Sequence, residues 1–314
     1  MHVSNLNIPV SVVPNLPAKE TYRHLTSERL YCRDPYILLY GDTYYLYHRG
    51  TEGKRILCSV SDDLEHWSDP ITVFDPPADF HGVKDLFWAP ECHYYKGNFY
   101  IFTSVYSKKT GHRSISVYRS ESPLGPFRDI ADGCISPKDW DAIDGTLYVD
   151  PDGQPWMVFV HEWTSMPDHV GSMVAAKLSE DFTHLCSEPI HLFYAKDPVW
   201  ATSGVTDGAY LCTDSNGHLM MIWSNFGDNG YVVGLAHSAT DRIEGPWIQQ
   251  EAPLYRKGDR PAFATEGGHG MIFRTKEGKM MLSYHGPNRK LPDGNYEHLC
   301  LAELREENGT ITIV

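Results

Sequence analysis

Hydrophobic and polar positions alternate with a period of two over most of the chain. The runs are short, rich in aromatic and β-branched residues, and broken by Gly, Asn and Asp. That pattern predicts half-buried strands joined by tight turns. Long stretches with helical spacing are hard to find. Residues 1–30, with Pro9, Pro14 and Pro17, read as an irregular N-terminal segment. The expected class is all-β.

The runs also repeat. Asp144-Gly145-Thr146-Leu147-Tyr148-Val149 leads through Asp152-Gly153 into Pro155-Trp156-Met157-Val158-Phe159. Similar units start at Asp34, Glu91, Asp207 and His269, so that five times a polar or ionisable residue heads a hairpin, at steps of 57, 53, 63 and 62 residues. A second marker is a turn opened by Ser61, Ser120, Ser179 and Ser238, each 59 residues from the last. Third strands are predicted at 55–60, 114–118, 173–178, 231–237 and 297–304, and fourth strands at 70–74, 189–193 and 310–314. Four antiparallel strands repeated five times, at about 60 residues each, predict a five-bladed β-propeller filling 1–314 as one domain.

In a propeller the first strand of every blade lines the central channel. The five heads would therefore converge at one end of it, although Asp34 and His269 lie far apart in sequence. Four heads are carboxylic acids: Asp34, Glu91, Asp144 and Asp207. Acids at strand starts often only shape turns, and Asp42, Asp150 and Asp152 are read that way. Crowded carboxylates repel and raise one another's pKa, so a fold that keeps several together is expected to use them. Two carboxyl groups across a sugar-sized gap are the machinery of glycoside hydrolysis, and a third can tune the acid.

Composition narrows the partners. The formal net charge of −14 argues against nucleic acid, whose phosphates require Lys and Arg, and against anionic membranes. There is no apolar run of about 18 residues to span a bilayer. The N-terminus lacks a basic segment followed by an apolar one, so a cytoplasmic protein is expected. Seven Cys without a C-x-x-C pair read as free thiols, mostly buried in strands. Among 16 His there is no His-Glu-x-x-His, so zinc catalysis is unsupported.

The motifs resemble those of glycoside hydrolase family 43, from about Arg33 to the C-terminus. Arg33-Asp34-Pro35 resembles its first-blade motif, Phe87-Trp88-Ala89-Pro90-Glu91 its second, and Ala142-Ile143-Asp144-Gly145 its third. Gly267-Gly268-His269-Gly270 resembles its fifth. The resemblance implies inverting cleavage of arabinosyl, xylosyl or related sugars from oligosaccharides. It implies Asp34 as general base, Asp144 as modulator of the acid's pKa, and His269 on the axis beside a bound metal or water, with Ca²⁺ the expected ion. Blade four departs from the pattern. Where the family has Glu followed by Gly-Pro, this chain has Asp207-Gly208-Ala209. Asp207 is the first candidate for the acid and Glu266 the second. The shorter acid also leaves open a propeller that binds carbohydrate without cleaving it. Invertase-like propellers share an Arg-Asp-Pro, but Trp88-Ala89-Pro90-Glu91 argues against them. Trp88 and Trp163 are candidate sugar platforms, with Trp140 and Phe226 behind them. Glu91, His269 and Arg289 are candidate substrate contacts. Trp67, Trp156, Trp223 and Trp247 fit strand packing.

Overall fold

The structure is a computed structural model that describes residues 13–23, 25–288, 296–307 and 309–314. Five four-stranded antiparallel sheets follow one another along the chain. Their innermost strands are Tyr36–Tyr40, Trp88–Tyr95, Ala142–Val149, Asp207–Thr213 and Gly268–Arg274. Each sheet runs outward in chain order from that strand, as the repeat predicts. The described helical content is one 3-10 turn, Lys19–Arg23. Predicted third and fourth strands lie within a few residues of the observed ones, for example Ile56–Ser61, Ser172–Lys177 and Thr310–Ile313.

Each blade is built from one contiguous piece of chain, and among the described residues blade five takes no strand from the N-terminal segment. The ring is tied instead by single contacts. Tyr31 bridges His298, and the Cys32 N–H donates to the Glu297 carbonyl at 3.1 Å. Leu25–Thr26 pairs with His66–Trp67 at the edge of blade one.

The equally spaced serines have a local cause. Ser61, Ser120, Ser179 and Ser238 each accept a backbone N–H two to four residues ahead, at 2.9 to 3.4 Å. The hydroxyl stands in for a backbone acceptor and fixes the turn between third and fourth strands. Between the sheets lie three clusters of aliphatic and aromatic side chains. Trp67, Trp156, Trp223 and Trp247 are all buried there, as strand packing predicts. The seven cysteines are free: Cys32, Cys58, Cys92 and Cys212 are buried, Cys134 and Cys300 partly so, and Cys186 is exposed.

A backbone feature near the start of each innermost strand sets up the channel end. Asp34, Ala89, Asp144, Gly208 and His269 all have positive φ, between 43° and 55°. In blades two to five the register slips there, so that an extra residue bulges from the strand. Positive φ is uncommon outside glycine, with Asp, Asn and His enriched; three of the five residues are of those types. A bulge re-aims its side chain. The bulge also corrects the register of the repeat read from sequence: Glu91 lies two residues past it and Asp207 one before.

Packing in blade four gives a stability test. A Cβ on Gly234 would meet Trp200 Cζ2 at 2.4 Å, and Trp200 is itself buried. Gly234→Ala is expected to cost roughly 1–3 kcal/mol by overpacking. Thermal denaturation should show a clear fall in Tm with a native circular dichroism spectrum at low temperature.

Candidate active site

The positive-φ conformation takes its residue's N–H out of the strand ladder, and a buried N–H needs an acceptor. The acceptor comes from the preceding blade. Asp144 N–H donates to Ser104 Oγ at 2.9 Å, His269 N–H to Ser224 Oγ at 2.8 Å, and Asp34 N–H to His285 Nδ1 at 3.1 Å. Ser104, Ser224 and His285 hold equivalent places, each paired across its hairpin with the residue just before a bulge. The equivalent residue of blade three is Val160, which has no acceptor. There Asp144 itself takes over, its Oδ2 accepting the Gly208 N–H at 3.0 Å. Residue 208 has little room for a side chain: a Cβ would lie 2.7 Å from His269 Cδ2.

These bonds bring Asp34, Asp144 and His269 together although they come from three blades. His269 Nδ1 lies 3.2 Å from Asp34 Oδ1 and 3.7 Å from Asp144 Oδ2. All three side chains are buried. They form the floor of a cavity of about 810 Å³. Asp207, Glu162, Trp88, Trp163, Phe226 and Tyr231 line its walls, with Arg33, Arg49, Glu266, His285 and Glu297.

The environment separates the aspartates. Burial pushes the Asp34 carboxyl up, but the charges of His269 and Arg33 outweigh burial and hold it below the ordinary aspartate value. Arg33 is itself anchored, its Nη1 2.8 Å from Glu297 Oε1. Burial drives Asp207 up to about 7, the nearby Asp144 adding to the effect. Asp144 rises to about 6, through burial and the charge of Asp34, against the opposing pull of His269. Burial would lower His269, but Asp34, then Asp144 and Asp207, raise it above the ordinary histidine value. His285 behaves oppositely. Burial brings it down to about 3, and its Nδ1 accepts the Asp34 N–H, so the neutral ring acts as an acceptor and its 3.4 Å approach to Asp34 Oδ1 is no ion pair.

Other expected residues fall in different places. Trp88 lines the cavity, and the Arg113 guanidinium stacks 3.0 Å from its ring centroid. Trp163 and Phe226 present exposed rings to the cavity. Trp140 does not line it; it stacks on His161 at 3.8 Å. Glu91 is not on the cavity wall either. Two residues past its bulge, it is buried and pairs with His93 Nε2 at 3.1 Å. Glu266 does line the cavity, but its Oε2 accepts the Tyr231 N–H at 3.0 Å. Asp150 is a turn residue, accepting N–H bonds from Asp152 and Gln154. Arg289 lies outside the described residues. Sequence reasoning missed Tyr231, His285 and Glu162. Aligning the second strands on one another, as Ser104, Val160, Ser224 and His285, would have exposed His285.

The donor chemistry bears on the expected calcium. Among the described residues no three His, Cys, Asp or Glu side chains converge as a metal cage. Calcium prefers oxygen ligands, and the Nδ1 of His269 faces the carboxylates. These residues fit only an ion carried by its own water, because Asp34 and Asp144 favour the protonated His269 ring, which has no lone pair to give a metal.

The structure defines a five-bladed propeller with ionisable groups gathered over a cavity at one end of its channel, and comparison with known proteins gives the family. The family model for glycosyl hydrolases family 43 matches residues 29–311, and the chain belongs to that family. Over 163 residues it is 27% identical to the extracellular endo-alpha-(1->5)-L-arabinanase 1 of Bacillus subtilis (strain 168), covering 48% of this chain and 49% of that one. Over 163 residues it is 29% identical to the extracellular exo-alpha-(1->5)-L-arabinofuranosidase ArbA of Cellvibrio japonicus (strain Ueda107), covering 48% and 44%. The match thus spans about half the length of these curated relatives. The crystal structure of endo-arabinase from Bacteroides thetaiotaomicron VPI-5482 superposes with a TM-score of 0.80 at 32% identity, covering 91% of this chain and 98% of that one.

The raised Asp207 has a consequence for stability. A carboxyl whose folded pKa exceeds its unfolded value of about 3.9 binds its proton more tightly in the folded state. The folded protein therefore loses stability as pH rises from about 4 toward 7. Asp207→Asn removes that ionisation and keeps the shape. Its Tm is expected to exceed that of the parent at pH 8 and to match it near pH 4, as read by thermal scans across pH.

Proposed function

We propose that this chain is an inverting glycoside hydrolase that releases terminal arabinofuranosyl, xylosyl or related sugars from plant-type oligosaccharides. One observation carries the reading: two aspartates facing one cavity, Asp34 held ionised by its neighbours and Asp207 held protonated to about pH 7. Paired titratable groups pushed in opposite directions mark the base and the acid. Arabinofuranosyl is the leading choice of sugar, supported by the arabinan-cleaving relatives.

In the proposed reaction, Asp207 gives its proton to the glycosidic oxygen, which leaves with the bonding electrons as an alcohol. Water attacks the anomeric carbon from the opposite face and loses its proton to Asp34. Inversion requires a water-sized gap, roughly 6.5–9.5 Å between the two carboxyl groups. Asp144, between His269 and the Gly208 amide, adds negative charge that keeps the proton on Asp207. Trp88 and Trp163 supply faces for sugar C–H groups, and Trp88 is backed by Arg113. Glu266 is spent on a backbone amide, which favours Asp207 as the acid. A hydrated calcium ion at His269 would add positive charge beside Asp34.

Both curated relatives are named as extracellular enzymes. We therefore favour an encounter with the glycan outside the cell over the cytoplasmic expectation. Among the described residues no helix is long and apolar enough to cross a membrane.

A panel of 4-nitrophenyl α-L-arabinofuranoside, β-D-xyloside and β-D-galactofuranoside tests the proposal. Turnover is expected on the arabinofuranoside, and with the corresponding disaccharide, whose alcohol needs a proton, the alkaline limb of the pH profile should lie near 7. Asp34→Ala should lose about a hundredfold or more while retaining sugar binding by calorimetry. EDTA should lower turnover and calcium restore it. Binding without turnover on any sugar would instead support the non-catalytic carbohydrate-binding propeller.

A further inference from the structure

The acid in this chain is an aspartate, one methylene shorter than the family's glutamate, and a short acid depends more on how its carboxyl is turned. Tyr231 touches that carboxyl directly: its Oη donates to Asp207 Oδ2 at 2.8 Å. The ring providing the hydroxyl is wedged in place. It packs on Phe226 with centroids 5.0 Å apart and on His285 at 5.6 Å. Its other flank lies so close to Gly268 that a Cβ there would meet Tyr231 Cδ1 at 2.4 Å. The backbone is pinned too, since Tyr231 N–H donates to Glu266 Oε2. Gly268 and Glu266 belong to the stretch leading into blade five, while Asp207 and Tyr231 belong to blade four. The hydroxyl is thus fixed by the joint between two blades.

We propose that Tyr231 is the positioning residue that lets an aspartate act as proton donor here: it occupies Oδ2, confines the transferable proton to Oδ1, and holds that oxygen toward the cavity. This rests on the reading of Asp207 as the acid. Burial, with Asp207 beside it, keeps the Tyr231 phenol protonated far above neutral pH, so it remains a donor throughout. The Oδ1–H bond breaks as the proton passes to the glycosidic oxygen, and Asp207 becomes a carboxylate. The Tyr231 hydrogen bond then becomes charge-assisted and strengthens. Its stabilisation therefore grows along the reaction coordinate, which speeds the chemical step rather than tightening binding.

The test uses a dependence on leaving group that a purely structural role would not produce. Tyr231→Phe and Asp207→Ala are compared with the parent on the sugar chosen by the panel. Each is assayed as the 4-nitrophenyl glycoside, whose phenolate leaves with little help, and as the corresponding disaccharide, whose alcohol needs a proton. Tyr231→Phe is expected to lower kcat on the disaccharide roughly tenfold or more, to change the 4-nitrophenyl reaction only slightly, and to leave KM nearly constant. Losing a bond that favours the ionised acid should also move the alkaline limb of the kcat profile upward. Equal losses on both substrates, or no loss, with Asp207→Ala still selective against the disaccharide, would overturn the role of Tyr231 and leave the acid assignment standing. An Asp207→Ala variant with no such selectivity would overturn the acid assignment and this inference with it.

Discussion

The site depends on one backbone constraint, the left-handed residue near the head of each inner strand, which forms a bulge in blades two to five. Holding a non-glycine residue at positive φ costs on the order of 1 kcal/mol, and four such residues, with Gly208, ring one end of the channel. At Asp34, Asp144 and His269 this conformation turns a side chain toward the axis, and at these and Gly208 it frees an N–H that the neighbouring blade catches. Ser104, Ser224 and His285 catch three of these. The same bonds that lock blade to blade therefore also aim Asp34, Asp144 and His269. Stability of the ring and geometry of the proposed chemistry share the same atoms.

The irregular joint is the informative one. Between blades three and four the expected hydroxyl is replaced by Val160, and a carboxylate serves in its place. Asp144 is thereby fixed by the Gly208 amide immediately after Asp207. A buried negative charge is placed where it bears on the acid while a cation, His269, bears on the base. Three aspartates of one chemical type acquire three different proton affinities from their neighbours alone. The cost of that arrangement falls on stability near neutral pH, a familiar trade between function and folding.

Much of this was legible in the sequence. Period-two alternation, the repeat of about 60 residues and the evenly spaced serines together specify the blades, because each reflects a local backbone requirement. Asp34, Asp144 and His269 were legible as heads because their residue types suit the positive-φ position. Glu91 and Asp207 were aligned by their acidity, and the bulge, a property of the backbone, puts them out of register with the other heads. Glu91 turned into a buried partner of His93, while Asp207 still reached the cavity wall. Tyr231 and His285 were hidden for another reason. They belong to third and second strands, where an aromatic or a histidine reads simply as strand filling, and only the packing of adjacent blades brings them to the acid and the base.

The central claim is that the fold splits the proton affinities of two aspartates facing one cavity. Carbon-13 NMR of protein labelled at the aspartate carboxyl carbons, titrated from pH 2 to 9 and assigned with Asp34→Asn and Asp207→Asn, measures that split directly. The account predicts one carboxyl titrating below the ordinary aspartate value, lost in Asp34→Asn, and one titrating near pH 7, lost in Asp207→Asn. Both carboxyls titrating together near pH 4, or in the reverse order, would contradict it.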